Sequence, residues 1–130
     1  MDTMRVDATT IPSATAAAHA RETTRAFLKA LRQPAVDSET ADTAVLVVSE
    51  LVTNALRHGG GTYTLQLTAR PDLIKVAVDD PGPQVPCLRT PDLNGGTGGF
   101  GWPMVNHLAR AASATSHAAG GKTISALLAR

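Results

Sequence analysis

The sequence predicts an α+β domain, a two-layer sandwich with helices packed on one face of a mixed, mainly antiparallel sheet. Three observations predict it. Two long amphipathic helical patterns come first, at about 13–32 and 38–58. The apolar period then falls from 3.6 to 2 and holds in two hairpin-like pairs, at 62–80 and 112–129. Between those pairs lies a Pro- and Gly-rich stretch that fits neither period.

The bulk numbers bound the answer. A chain of 130 residues is one compact domain, here 13–130, preceded by residues 1–12 as a tail or edge strand. Hydrophobic residues make up 43% and charged residues 18%, a globular composition. One Trp, one Tyr and two Phe leave the core to Val, Leu, Ile and Ala. A net charge of +1 gives no electrostatic case for nucleic acid or an anionic membrane. Cys87 is alone, so neither a disulfide framework nor a thiolate metal site is available. No apolar run approaches the roughly 20 residues of a membrane span. The N-terminus is polar and Thr-rich rather than signal-like, which points to the cytoplasm.

In the first helix, Ser13 is a candidate N-cap and Gln33-Pro34 a stop. Ala20, Thr24, Phe27, Leu28 and Leu31 share one face, with Arg21, Arg25 and Lys29 as a basic stripe beside it. The second helix ends at Gly59-Gly60-Gly61, and Ala44, Val45, Val48, Leu51, Val52, Ala55 and Leu56 form its apolar stripe. Tyr63, Leu65, Leu67 and Ala69 then alternate with Thr62, Thr64, Gln66 and Thr68. After the turn at Arg70-Pro71-Asp72, Ile74, Val76 and Val78 alternate up to Asp79-Asp80. Residues 81–101 hold four of the eight Pro and six of the eleven Gly, a loop length that in small domains is functional or disordered. A short helix from Trp102 to about Ala111 and a hairpin turning at 119–122 complete the chain.

Three groups of residues carry chemistry. Glu50, Asn54 and Arg57 fall on one face of the second helix, about a turn apart, at the margin of its apolar stripe. An acid, a neutral oxygen donor and a guanidinium so placed suit a magnesium–phosphate site. On spacing alone, a solvated helix face with an intrahelical ion pair is the commoner arrangement. Asp79-Asp80-Pro81-Gly82-Pro83 follows a strand directly. A carboxylate there can point inward and accept a hydrogen bond from an exocyclic amine, while Gly82 admits a ligand to the backbone. Taken alone, a Pro-Gly turn with two solvated acids is the commoner arrangement. Gly95-Gly96-Thr97-Gly98-Gly99-Phe100-Gly101 opens the short helix, where free N–H groups and the helix dipole make a phosphate cradle, or where glycines make a linker.

Two rival motifs fail on context. The fingerprint in Gly96–Gly101 has no strand just before it and no Asp or Glu anywhere after it to hold a ribose. Gly121-Lys122-Thr123 ends like a P-loop but leaves only seven residues for the required helix. The four histidines are not spaced as metal ligands, and His107 reads as a helix-surface residue.

Taken in order, these elements resemble the GHKL (histidine-kinase-like) ATPase domain, and in particular its anti-sigma-factor serine/threonine kinase branch. Val48-Ser49-Glu50-Leu51-Val52-Thr53-Asn54-Ala55-Leu56-Arg57-His58 is similar to the family's asparagine-bearing box. The resemblance implies that Asn54 holds magnesium, Glu50 is the catalytic base and Arg57 lies near the phosphates. Val76–Pro86 resembles the first glycine box, which would set Asp80 on the adenine amine and Gly82 beneath the base. Gly99-Phe100-Gly101-Trp102-Pro103-Met104-Val105 resembles the second, with Gly99 and Gly101 at the phosphates. Gly121-Lys122-Thr123 resembles the terminal box, where Thr123 would support the adenine site beside Asp80. The chain departs from the pattern at Pro81, Pro83 and Gln84 in the first glycine box, and at Trp102, where a Leu is usual.

What the resemblance implies is an ATP- and Mg2+-dependent protein serine/threonine kinase that is also a binding switch, with ATP and magnesium ordering the loop at 81–101. It would phosphorylate a small anti-anti-sigma (STAS) protein and sequester a sigma factor, and a homodimer is expected from the family alone. Arg21, Arg25 and Lys29 are a candidate docking face or a solvated helix side. The other reading is a non-catalytic, nucleotide-responsive module that regulates a protein partner. A piece of a sensor histidine kinase fits less well, because no dimerisation helix bearing a phosphoacceptor His is present.

Overall fold

The computed structural model describes residues 2–7, 13–32, 34–58, 62–82 and 101–130. Along the chain these form β1 (Asp2–Asp7), α1 (Ser13–Ala30), α2 (Ser38–His58), β2 (Thr64–Ala69), β3 (Leu73–Asp80), α3 (Gly101–Leu108), β4 (Ala111–Ser116) and β5 (Lys122–Ala129). The strands make one sheet in the order β1-β2-β3-β5-β4. The helices cover one face of it, as the fold class predicts.

Every neighbouring pair among the described strands is antiparallel, which is stricter than the mixed sheet expected. The connections explain why. Two helices between β1 and β2 carry the chain across and back, so β2 returns antiparallel to β1. β3 and β4 do run in the same direction, but β5 is inserted between them and pairs with both. Residues 2–7 form the edge strand, with Met4 opposite Leu67.

The core follows the alternation. Leu65, Leu67 and Ala69 of β2, Ile74, Val76 and Val78 of β3, and Ile124, Ala126 and Leu128 of β5 are buried toward the helices. The opposite face carries Thr64, Gln66, Lys75, Asp79, Thr123 and Ser125, all half-buried or exposed. Fully burying a branched aliphatic side chain stabilises a fold by roughly 1.5–3 kcal/mol, so a one-residue slip in any of these strands would forfeit several such terms at once.

Helix α2 is the central element. Val47, Val48, Leu51, Val52 and Ala55 are buried, and Val47 lies outside the stripe expected from its period. The stripe is wider because α2 packs on α1, α3 and the sheet together. Its start is capped by Asp37, whose Oδ1 accepts the Thr40 backbone N–H at 2.7 Å while its carbonyl accepts the Ala41 N–H at 3.0 Å. From α1, Ala16, Ala20, Thr24 and Leu28 enter the core, and Leu31 joins them just past its end. The buried Thr24 hydroxyl donates to the Ala20 carbonyl at 2.7 Å, so no polar group is stranded. Tyr63 reaches across from the start of β2 to donate to the Ala16 carbonyl at 3.3 Å, and burial pushes its phenol above the usual range.

Two members of the basic stripe are engaged at the α1–α2 seam. Arg21 donates to Ser49 Oγ at 3.3 Å, and Arg25 pairs with Asp42 at 3.1 Å. The second pair is exposed, so its contribution is small. Among the described residues no helix is long and apolar enough to cross a membrane.

The Thr40 backbone N–H, and then its hydroxyl, hold the Asp37 carboxyl below its ordinary value of 3.8. A depressed folded-state value means stability present above the unfolded-state value and lost as pH falls through the folded one. Asp37→Ala should therefore lower the melting temperature at neutral pH, and the gap to the parent should close on acidification below about pH 4. Thermal unfolding of both proteins across pH 2–7 checks this.

Candidate functional site

The site begins with parity. Stepping by two along β3 from Val76 and Val78 brings Asp80 to the inward face, and stepping back along β5 from Ile124 brings Lys122 there too. The register pairs Asp80 with Lys122. Both side chains are fully buried, and Lys122 Nζ stands 2.9 Å from Asp80 Oδ1. The same oxygen accepts the Gly82 N–H at 2.9 Å, the side-chain-to-backbone turn that Asp makes two residues on. Lys122 also reaches the Gly82 carbonyl at 3.4 Å. The second oxygen, Asp80 Oδ2, is buried with no partner among the described residues. A buried acceptor left unpaired costs about 1–3 kcal/mol, so this oxygen is ready for an incoming N–H.

Gly121 makes the close approach possible. Its φ of +85° and the position a Cβ would take, 2.7 Å from the Asp80 backbone oxygen, both exclude a side chain. Gly120 has φ of +99° but open space around it. Together they close the final hairpin, where His117 N donates to the Gly121 carbonyl at 3.0 Å.

Thr123 sits differently from the expectation. It was placed beside Asp80, but it is opposite Asp79 in the register and on the other face of the sheet. There its hydroxyl donates to Asp79 Oδ1 and meets His117 Nε2 at 2.7 Å. The physical reason is the strand period: adjacent residues of β5 cannot share a face, and position 122 is the inward one. The side chain beside Asp80 is thus Lys122, which the motif reading passed over.

Glu50 and Asn54 are half-buried on α2, and Arg57 is exposed. Among the described residues Glu50 and Arg57 make no ion pair with one another, so the intrahelical pair is not what places them there. They lie toward the end of α2 that leads into β2. Only six residue steps separate His58, the last of α2, from Thr64, which pairs with Asp79. Chain length therefore holds that helix end within about 25 Å of the end of β3, about 20 Å of chain and about 5 Å between paired strands. A cleft of about 230 Å³ opens at this end of the sheet, between Tyr63 and Pro81, with Asp79, Asp80, His117 and Lys122 on its walls.

Gly82 is buried next to Asp80, and Gly101 opens α3, an eight-residue helix anchored by Val105. Gly99 and Cys87, with the rest of 83–100, lie outside the described residues. His107 is exposed on α3, as its spacing predicts. Among the described residues no three His, Cys, Asp or Glu side chains gather to hold a metal. Magnesium does not require such a cage, since it keeps waters and takes one or two protein oxygens plus phosphates. The Asn54 carbonyl fits that donor set, and the unpaired Asp80 oxygen fits a base amine.

The helices thus cover one face of a five-stranded antiparallel sheet, and an ion pair is buried where two of its neighbouring strands end. The model of the histidine kinase-like ATPase domain matches residues 13–127, and the chain belongs to that family. Among solved structures, the chain is similar to the RsbU and RsbW domains of Rv1364c from Mycobacterium tuberculosis, with a TM-score of 0.69 and 21% identity. That match covers 100% of this chain and 33% of the other, so this chain spans about a third of its length. A search of curated proteins returned no match.

Gly121→Ala should cost roughly 1–3 kcal/mol, because it adds backbone strain to a collision with the Asp80 carbonyl. Gly120→Ala meets only the backbone term and should lose less. Urea unfolding of the two variants ranks them, and equal losses would contradict the close approach.

Proposed function

We propose that this chain binds ATP with magnesium and acts as a protein serine/threonine kinase of the anti-sigma type, phosphorylating a small STAS-like partner and sequestering a sigma factor in the cytoplasm. The observation that carries the reading is Asp80. Its carboxylate is buried at the end of the sheet, keeps one oxygen unpaired, and lies at the end toward which the Glu50, Asn54 and Arg57 face of α2 runs. Membership of the histidine kinase-like ATPase family supports the nucleotide, and the RsbW-containing neighbour supports a regulatory protein partner.

Each residue has a distinct task. Asp80 and Gly82 hold the base, Asn54 donates its carbonyl to magnesium, and Arg57 attracts the phosphates. Gly99 and Gly101 supply backbone N–H groups to them, and Thr123 braces the sheet end through Asp79 rather than touching the base. ATP supplies the phosphoryl group. Glu50 accepts the proton that leaves the partner's serine hydroxyl, a role that contributes about 10²–10⁴-fold.

Glu50→Ala should retain ATP affinity while radiolabel transfer to a serine-bearing STAS partner falls by about that factor. Tight ATP uptake with no transfer by the parent protein to any such partner would instead make the chain a nucleotide-responsive binding module. Asn54→Ala should abolish the magnesium-dependent part of the melting shift produced by ATP, and a variant that kept the whole shift would remove Asn54 from the metal.

A further inference from the structure

The buried Lys122 is not needed to fold a sheet. Removing an ammonium and a carboxylate from water costs several kcal/mol per ion, and apolar replacements for such pairs are often neutral or stabilising. Yet β5 spends its first inward position on a lysine with no exposed surface. What the lysine does is divide the Asp80 carboxylate into two unlike oxygens. Oδ1 is taken by Lys122 Nζ and by the Gly82 N–H, both at 2.9 Å, while Oδ2 remains buried and open.

We propose that Lys122 is a specificity-determining residue of the base pocket, selecting a 6-aminopurine over guanine. This rests on the nucleotide reading above. Guanine offers two adjacent N–H donors, from N1 and the 2-amino group, and a carboxylate holds them best with both oxygens. Lys122 has removed one oxygen from that role. Adenine offers one amine beside one ring acceptor, N1. Asp80 Oδ2 accepts from the amine, and Lys122, an ammonium with three N–H groups and two acceptors among the described residues, donates the third to N1.

The test is calorimetric titration of the full chain with ATP, 1-deaza-ATP, in which N1 is a carbon, and GTP, each with magnesium. The parent protein should bind ATP about tenfold or more above 1-deaza-ATP, the size expected for a hydrogen bond from a charged group. Lys122→Met should bring the two within about threefold of each other and narrow the gap to GTP. That variant strands the Asp80 charge and can lose its fold. The double variant Lys122→Met with Asp80→Asn leaves no buried charge and should show the same loss of discrimination between ATP and 1-deaza-ATP. A parent protein that binds ATP and 1-deaza-ATP equally would overturn the inference, as would discrimination that persists in the folded variants. Absence of any heat with all three nucleotides on folded parent protein is a different failure, which takes down the nucleotide reading and this inference with it.

Discussion

The inward parity of two neighbouring strands fixes this site. β3 and β5 each present an unbroken apolar row to the helices, and each ends that row with a charge, Asp80 on one and Lys122 on the other. Neither charge is tolerable alone in that position, because an unpaired buried ion is strongly destabilising. The register that aligns Ile74, Val76 and Val78 with Leu128, Ala126 and Ile124 is therefore also the one that brings the two ions together. A slip of one strand by one residue would turn its apolar row outward and separate the pair, so core packing and site assembly are a single constraint.

Gly121 belongs to the same constraint. The hairpin must deliver Lys122 to the end of β5 while its own backbone passes against the Asp80 carbonyl, and only a residue without Cβ at positive φ can do so. On the far face, Thr123 bridges Asp79 and His117. The two adjacent acids of β3 are thus bound by two adjacent residues of β5, one pair on each side of the sheet. One pair is buried and leaves an oxygen unpaired among the described residues; the other is exposed and ties the strand ends together.

Much of this was legible from the residues. The bounds of α2 follow from its period and its terminal glycines, and the alternation in β2 and β3 names their inward residues correctly. Asp80 and Gly82 emerged from the strand-to-turn pattern. Thr123 did not find its place, because a motif match assigns a residue by order in a short string, whereas a strand assigns it by parity. Counting back from Leu128 through Ala126 and Ile124 would have turned Lys122 inward, and an inward lysine demands a carboxylate. Val47 escaped for another reason: a helix covered on three sides buries more than one stripe, and a period of 3.6 reports only the direction of the strongest. The His117 contact depends on the hairpin's closure, which no local pattern encodes.

The strands and α2 hold the candidate site residues by different means. Asp80 rests on two strands and a buried ion pair, which resist displacement because any movement separates charges in an apolar surrounding. Glu50 and Asn54 rest on α2, the helix with the most packing partners, and cannot move independently of the core. The candidate residues at the ends of β3 and β5 and those on α2 are therefore held by the core itself.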